Sequence, residues 1–292
     1  MKPPAFDYVR PTTLSEALEA LTTHADAKLL AGGQSLIPMM NMRLAHPATL
    51  VDLNGLSELT EIREDGNRLI VGALVRHYQL EQDPRVRRFA PIVAKAEQLI
   101  AHPAIRTRGT IGGSLAHADP AAELPVLATL FDWEMTVASA DETRTISAGD
   151  FFLSYFITAL APNEIVTAVT FTEATRMASS IREHAIRSGD FALAIAAAAL
   201  SLSPSGRIES LRLAVGGVGD IPWRNPDLEQ SVIGEVAAHE LWAHLAEEVS
   251  QSIDPADDLN ATADYRRQLA RTLLIEALED AHRQSLENGG NS

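Results

Sequence analysis

The sequence predicts an α+β chain in three parts: two small α/β units, then a layer of antiparallel strands and helices. Three observations carry that reading. Two Gly-Gly pairs, Gly32-Gly33 and Gly112-Gly113, each sit within a small unit of strand-like and helix-like runs. After about residue 176 the style changes to a long alanine-rich run, a turn and an alternating run. Two amphipathic helical segments then finish the chain. The corresponding boundaries are residues 1–55, 56–175 and 176–288.

The first helix has a capping box, with Thr13 followed by Glu16, and Leu14, Ala17, Leu18 and Leu21 form one apolar face. "KLLA" then reads as a strand entering the first glycine turn, and "TLVDL" (49–53) as another. The second unit begins with the strand-like "RLIVGALV" (68–75) and the helix-like "PIVAKAEQLIA" (91–101). Next comes "RTRGTIGGSLAHADPAAELPVLATLFD" (106–132), in which a helix follows the Gly-Gly pair. Asp119 suits its cap and Pro120 its first position. "WEMTVAS" and "EIVTAVTF" (164–171) close this unit as strands. In the third part, alanine favours helix by propensity, but the turn "SPSG" and the alternating "RIESLRLAV" favour a hairpin, which is the expectation here. Helices are expected at about 236–250 and 263–287, followed by the end of the polar tail "LENGGNS".

The 292 residues are 46% hydrophobic and carry a formal net charge of −15. The charge argues against nucleic acid or an anionic membrane surface as a partner. It leaves room for an anionic cofactor, because main-chain N–H groups bind phosphate without surplus basic residues. No cysteine is present, which removes disulfides, thiolate nucleophiles and iron–sulfur clusters with ordinary ligands from this chain. No uncharged run reaches the length of a membrane span, and "MKPPAFDYVRP" lacks the apolar stretch of a secretory signal. A cytoplasmic protein is expected.

The two glycine pairs share a grammar: Gly32-Gly33-Gln34-Ser35 and Gly112-Gly113-Ser114. Glycine admits positive φ and removes the Cβ that would keep a ligand away. Successive N–H groups in such a turn make an anion-binding concavity. A Gly-Gly pair on its own is more often only a turn, so spacing leaves the ligand unidentified. A dinucleotide fingerprint of the G-x-G-x-x-G kind is not met at 31–40, and Gly217-Val218-Gly219 lacks the third glycine. His117, Asp119 and Glu123 match no common metal spacing. "LIPMMNMRL" reads as pliable core. No hydrolase elbow and no acid–base pair for substrate chemistry stand out.

Three segments, "AGGQSLIPMMNMRLA", "RTRGTIGGSLAHADPAAELP" and "RSGDFALAIAAAAL", occur in an order and at separations that resemble one family. Over nearly its whole length the chain resembles the FAD-binding medium subunit of the molybdenum hydroxylases, the xanthine dehydrogenase and aerobic carbon monoxide dehydrogenase group. The resemblance implies a vanillyl-alcohol-oxidase-type FAD-binding fold, two α/β subdomains gripping FAD, with a C-terminal domain beyond. It implies a first FAD segment at Ala31, Gly32, Gly33, Gln34 and Ser35, and a second at Thr110, Ile111, Gly112, Gly113 and Ser114. Asp119 and Glu123 become candidate acceptors for FAD hydroxyl or ring groups, and Ile165 and Val166 are placed against the flavin or its chain. Two departures matter. Phe191 stands where carbon monoxide dehydrogenases carry Tyr, and without cysteine the chain cannot belong to the 4-hydroxybenzoyl-CoA reductase branch.

The implied role is electron transfer. Substrate would be hydroxylated at a molybdenum cofactor on a large subunit, and electrons would reach FAD through two [2Fe–2S] clusters on a small subunit. The implied assembly is a dimer of heterotrimers in which this chain alone oxidises no substrate. Two rivals stay open: a self-sufficient single-chain FAD oxidoreductase using NAD(P)H, and a flavin-free assembly protein on the same fold.

Overall fold

Tertiary pairing sorts the predicted strands into separate sheets in the computed structural model, which describes residues 1–289. The first sheet is parallel and holds β1 (Asp7–Val9), β2 (Ala27–Leu30) and β3 (Thr49–Asp52) in the order β1-β3-β2. Helix Leu14–Thr23 links β1 to β2 and starts at the expected capping box, Thr13 accepting from the Glu16 N–H at 3.2 Å. Its buried face of Ala17, Leu18 and Ala20 packs with Val51 and Leu53, and Leu74, Ala138 and Ile165 join the same cluster. The first unit therefore closes its core with residues from the second.

The second unit is built on β4 (Ile62–Asp65), β5 (Arg68–Gly72), β6 (Glu134–Ala138), β7 (Thr143–Ser147) and, beyond the short hairpin of β8 (Phe152–Ser154) and β9 (Ile157–Thr158), β10 (Ile165–Phe171). Its order is β4-β5-β10-β6-β7, all antiparallel, so β10 returns to the centre between β5 and β6. Helices Pro91–Leu99, Ile111–His117 and Glu123–Phe131 lie within the excursion between β5 and β6. Every residue from Leu124 to Phe131 is buried. That explains a hydrophobic helix without an obvious polar face: it has protein on all sides.

The third sheet is β11 (Ala178–Ala185), β12 (Ala192–Leu202) and β13 (Ile208–Gly216), an antiparallel meander. The hairpin reading of the alanine-rich run holds: Ala197 pairs with Ala214 and Leu200 with Leu211. β12 is buried on both faces. Ile195, Ala197 and Ala199 join the core of the second unit, while Ala194, Ala196, Ala198 and Leu200 face helices His239–Ser252 and Ala263–Gly289. Small side chains on both faces let both layers come close, which offsets alanine's helical preference.

Three expectations need correction. Gly112 and Gly113 do not precede a helix; they are the second and third residues of one, Ile111–His117, capped by Thr110. Asp119 is not the cap of the next helix, which begins at Glu123 after Ala122; its carboxylate instead accepts from the Ala121 N–H at 2.9 Å and closes a turn. The Met-rich segment is only partly core, with Met40 fully buried and Met42 exposed. The end of the polar tail, residues 290–292, lies outside the described residues.

Candidate functional site

β2 delivers the chain into the 31–35 loop, and helix Leu36–Asn41 takes it away. Gly33 has φ +73°, and a Cβ there would lie 3.0 Å from Leu30 Cδ1 and 3.1 Å from Ile37 Cγ1, so the turn requires glycine. Gly32 has ordinary φ but no room: a Cβ would sit 2.7 Å from Gly109 Cα and closer still to the Arg108 carbonyl oxygen. The two glycine segments, 75 or more residues apart in sequence, are thus in direct main-chain contact. Gln34 Nε2 donates to the Gly32 carbonyl at 2.9 Å. Among the described residues, the N–H groups of Gly32, Gly33, Gln34 and Ser35 donate to no protein acceptor, and Ser35 spends its hydroxyl on no cap. Four successive unspent donors on a half-buried loop make an anion cradle.

The second segment works differently, although it looks alike in sequence. Its N–H groups are mostly used inside the protein: Ile111 donates to the Val75 carbonyl at 3.1 Å, Gly112 to Ala73 at 2.9 Å and Gly113 to Thr110 Oγ1 at 3.1 Å. A Cβ on Gly112 would meet Ala73 Cβ at 2.5 Å, and one on Gly113 would meet Thr110 Oγ1 at 2.8 Å. This glycine pair therefore presses a helix onto the turn at 73–75 that follows β5. It also brings Gly113 within reach of Ala31, whose Cβ is 3.8 Å from where a Gly113 Cβ would stand. Ser114 keeps an unpartnered hydroxyl among the described residues and is partly exposed.

Beside the contact runs a polar network that the sequence did not reveal, with Asp52 buried and Asn54 exposed. Arg76, half-buried, donates through Nη1 to the Arg108 carbonyl and through Nη2 to Asn54 Oδ1. Asn54 Nδ2 in turn donates to the Ala31 carbonyl at 2.9 Å and to Asp52, which also accepts from the Tyr8 hydroxyl. Burial works to raise the Asp52 carboxyl, but the hydrogen bonds from Tyr8 and Asn54 outweigh it and hold the group below the usual carboxylate range. Burial, and then the neighbouring Arg108, lowers Arg76 from the ordinary arginine value. Asp52 and Asn54 form a local turn, but every other partner in the network lies 22 to 44 positions away in sequence.

Beyond the helix, Ala118 takes a left-handed conformation and accepts from the Phe156 N–H at 3.2 Å, and the Phe156 ring lies 4.9 Å from that of His117. The Gly217 N–H donates to the Pro120 carbonyl at 2.8 Å, so the third sheet holds this turn. Asp119 and Glu123 are both partly exposed. Burial, then the carboxylate of Glu183 on β11, pushes Glu123 up to about 8, and burial likewise raises Glu183. The buried Glu97 is raised for the same reason, with His77 Nδ1 at 3.0 Å from its Oε2. His77 also underlies the second segment, its N–H donating to the Gly109 carbonyl at 3.1 Å. Ile165 and Val166 are interior, at 1% and 7% exposure, and belong to two different core clusters. The structure therefore brings Ala31 to Ser35 together with Thr110 to Ser114 and keeps the Ile165 and Val166 side chains inside. Phe191 is 69% exposed at the entrance to β12.

Comparison with known proteins supplies the class. Residues 4–172 match the domain family described as the FAD-binding domain in molybdopterin dehydrogenase. Residues 179–281 match the CO dehydrogenase flavoprotein C-terminal domain. The chain belongs to the FAD-binding medium-subunit family of the molybdenum hydroxylases. Among individual relatives, it is 39% identical over 282 residues to the nicotine 6-hydroxylase medium subunit of Paenarthrobacter nicotinovorans, covering 96% of this chain and 99% of that one. It is 33% identical over 285 residues to the carbon monoxide dehydrogenase medium chain of Hydrogenophaga pseudoflava, covering 96% and 98%. The solved quinoline 2-oxidoreductase from Pseudomonas putida 86 superposes with a TM-score of 0.94 at 36% identity, over 98% of this chain and 100% of that one.

Proposed function

We propose that this chain is the flavoprotein electron-transfer subunit of a molybdenum hydroxylase, holding FAD between the 31–35 loop and the 110–114 helix start. The observation that carries the reading is the run of four unspent N–H donors in the first loop, closed directly against the second segment. Such a concavity suits a diphosphate. The hydroxyls of Ser35 and Ser114 are free to donate to it or to adjoining sugar oxygens. Asp119 and Glu123 follow on the same wall, and a protonated Glu123 can donate a hydrogen bond as well as accept one. Bound here, FAD would take electrons one at a time from [2Fe–2S] clusters on a partner subunit and release them in pairs to an external acceptor. The protein's part is to grip the diphosphate, exclude competing anions and fix the cofactor's position.

The same reading carries a vanillyl-alcohol-oxidase-type fold, with units at 1–55, 56–175 and 176–288. It also carries a cytoplasmic dimer of heterotrimers with a large molybdenum-cofactor subunit and a small iron–sulfur subunit. Support comes from relatives that are themselves named as medium subunits or chains. Among the described residues no helix is long and apolar enough to cross a membrane.

The test is to purify the native complex under mild conditions, heat-denature it and identify the released molecule by absorption and mass. FAD near one per chain, with two co-purifying subunits, is expected. A colourless supernatant from an intact complex refutes the cofactor reading and favours an assembly protein. Turnover of a small substrate by the isolated chain with NAD(P)H refutes the subunit reading.

A further inference from the structure

We propose that Arg76, acting through Asn54, is a positioning residue that clamps the two cofactor segments at the separation FAD requires; the inference rests on the FAD reading above. A loop that turns its N–H groups toward an anion must turn carbonyls the other way, and those carbonyls need donors of their own. Here the carbonyl behind the first loop is that of Ala31, satisfied by Asn54 Nδ2 at 2.9 Å. On the other side, the turn leading into the second segment presents the Arg108 carbonyl, whose peptide N–H, that of Gly109, is already spent on the Ile105 carbonyl at 2.8 Å, and Arg76 Nη1 satisfies that carbonyl. The second guanidinium nitrogen of Arg76 closes the circuit by donating to Asn54 Oδ1. One planar fork thus spans both segments, and Gly32 packed against Gly109 is the contact it holds shut.

The chemistry selects arginine. Its donors are fixed in one plane and can address two acceptors in different directions, whereas a lysine ammonium is a single point. Asn54 is fixed from behind by Asp52, whose Oδ1 accepts from both the Asn54 N–H, at 2.9 Å, and its side-chain amide. Arg76 itself precedes helix His77–Gln82 and forms an isolated bridge with Thr110, the cap of the second segment. The clamp is therefore anchored to the elements it joins. Its positive charge also stands beside a proposed diphosphate site in a protein whose net charge is −15.

The test uses the full chain freed of flavin, with FAD affinity read by flavin fluorescence and apo-protein melting read in parallel. Arg76→Lys and Asn54→Ala are each expected to weaken FAD binding roughly 10- to 100-fold with little change in apo melting, in keeping with loss of one or two charge-assisted hydrogen bonds. The double variant should be far less than multiplicative, because either substitution opens the same circuit. Wild-type affinity in Arg76→Lys, with loss only in Arg76→Gln, would show that charge alone matters and would overturn the clamp. Unchanged affinity with lowered melting would make the network merely structural and overturn it too. Should Arg76→Lys fail to fold, Asn54→Ala decides. If the wild-type chain itself binds no FAD, both the function and the clamp fall, which is distinct from failure of the variants alone.

Discussion

Replacing Gly32 by alanine tests whether contact between the two segments sets cofactor affinity. A Cβ there would lie 2.7 Å from Gly109 Cα, against 3.4 Å or more for ordinary contact, and closer still to the Arg108 carbonyl oxygen, so the segments must separate by at least about 0.7 Å. The obstructing atoms are main chain, tied down by Arg76 and by the His77 N–H, and cannot rotate aside. A shift of that size misaligns donors aimed at an anion, and each hydrogen bond to a charged group contributes about 1.5–3 kcal/mol. Losing two of the four available N–H groups costs about 3–6 kcal/mol, or about two to four orders of magnitude in Kd. The assay is FAD titration of the flavin-free chain at fixed salt, with Gly149→Ala as control. Gly149 lies in the short helix Ala148–Phe151, and its Cβ would meet nothing nearer than 3.9 Å. A folded Gly32→Ala protein with FAD affinity within threefold of wild type would refute the reasoning.

Other expectations follow from the same geometry. Thr110→Val removes the cap that accepts from Gly113, so it should cost about 1 kcal/mol of stability by thermal melting and weaken FAD binding as well. Between the ordinary carboxyl value of 4.5 and about 8, folded Glu123 keeps a proton that the unfolded chain has released. Raising pH through that window must therefore lower stability, by up to about 1.4 kcal/mol per pH unit at the steepest. Melting followed from pH 5 to 8 should show the decline, and Glu123→Gln should make it shallower, the raised Glu183 and Glu97 keeping their share; equal slopes in the two proteins would remove Glu123 as its source. Buried Glu229 accepts from the Leu213 N–H at 2.8 Å and binds Arg224 through both oxygens. Glu229→Ala leaves that guanidinium half-paired, and a loss of about 3–5 kcal/mol is expected in denaturant unfolding.

Signals carried within a few residues were legible in the sequence. The Thr13–Glu16 box marks the first helix because both partners lie within one turn. The SPSG turn and the alternation after it outweighed a run of alanines, and the hairpin is real. Where the decisive neighbour is distant in sequence, nothing local points to it. Gly112-Gly113-Ser114 looks like a second phosphate loop, yet Gly112 is glycine because Ala73 lies against it. Arg76 and Asn54 sit in unremarkable local sequence, and only folding brings them to Arg108 and Ala31. The short helices His77–Gln82 and Pro84–Phe89 carry too few turns for periodicity to show. The family resemblance identified the second segment by its pattern, while the reason for its glycines had to come from packing.

The two-faced burial of β12 bears on how far this protein can be taken apart. Alternate residues of one strand serve as wall for two different interiors, so the third part is not a module that could be exchanged between relatives at residue 176. A graft there would have to match Ile195, Ala197 and Ala199 to one host while keeping Ala194, Ala196 and Ala198 for the other. Any substitution that thickens the strand pushes on both at once. Variation among such subunits is then easier to accommodate in the exposed β8–β9 hairpin, where Tyr155, Phe156 and Ile157 stand clear of either interior.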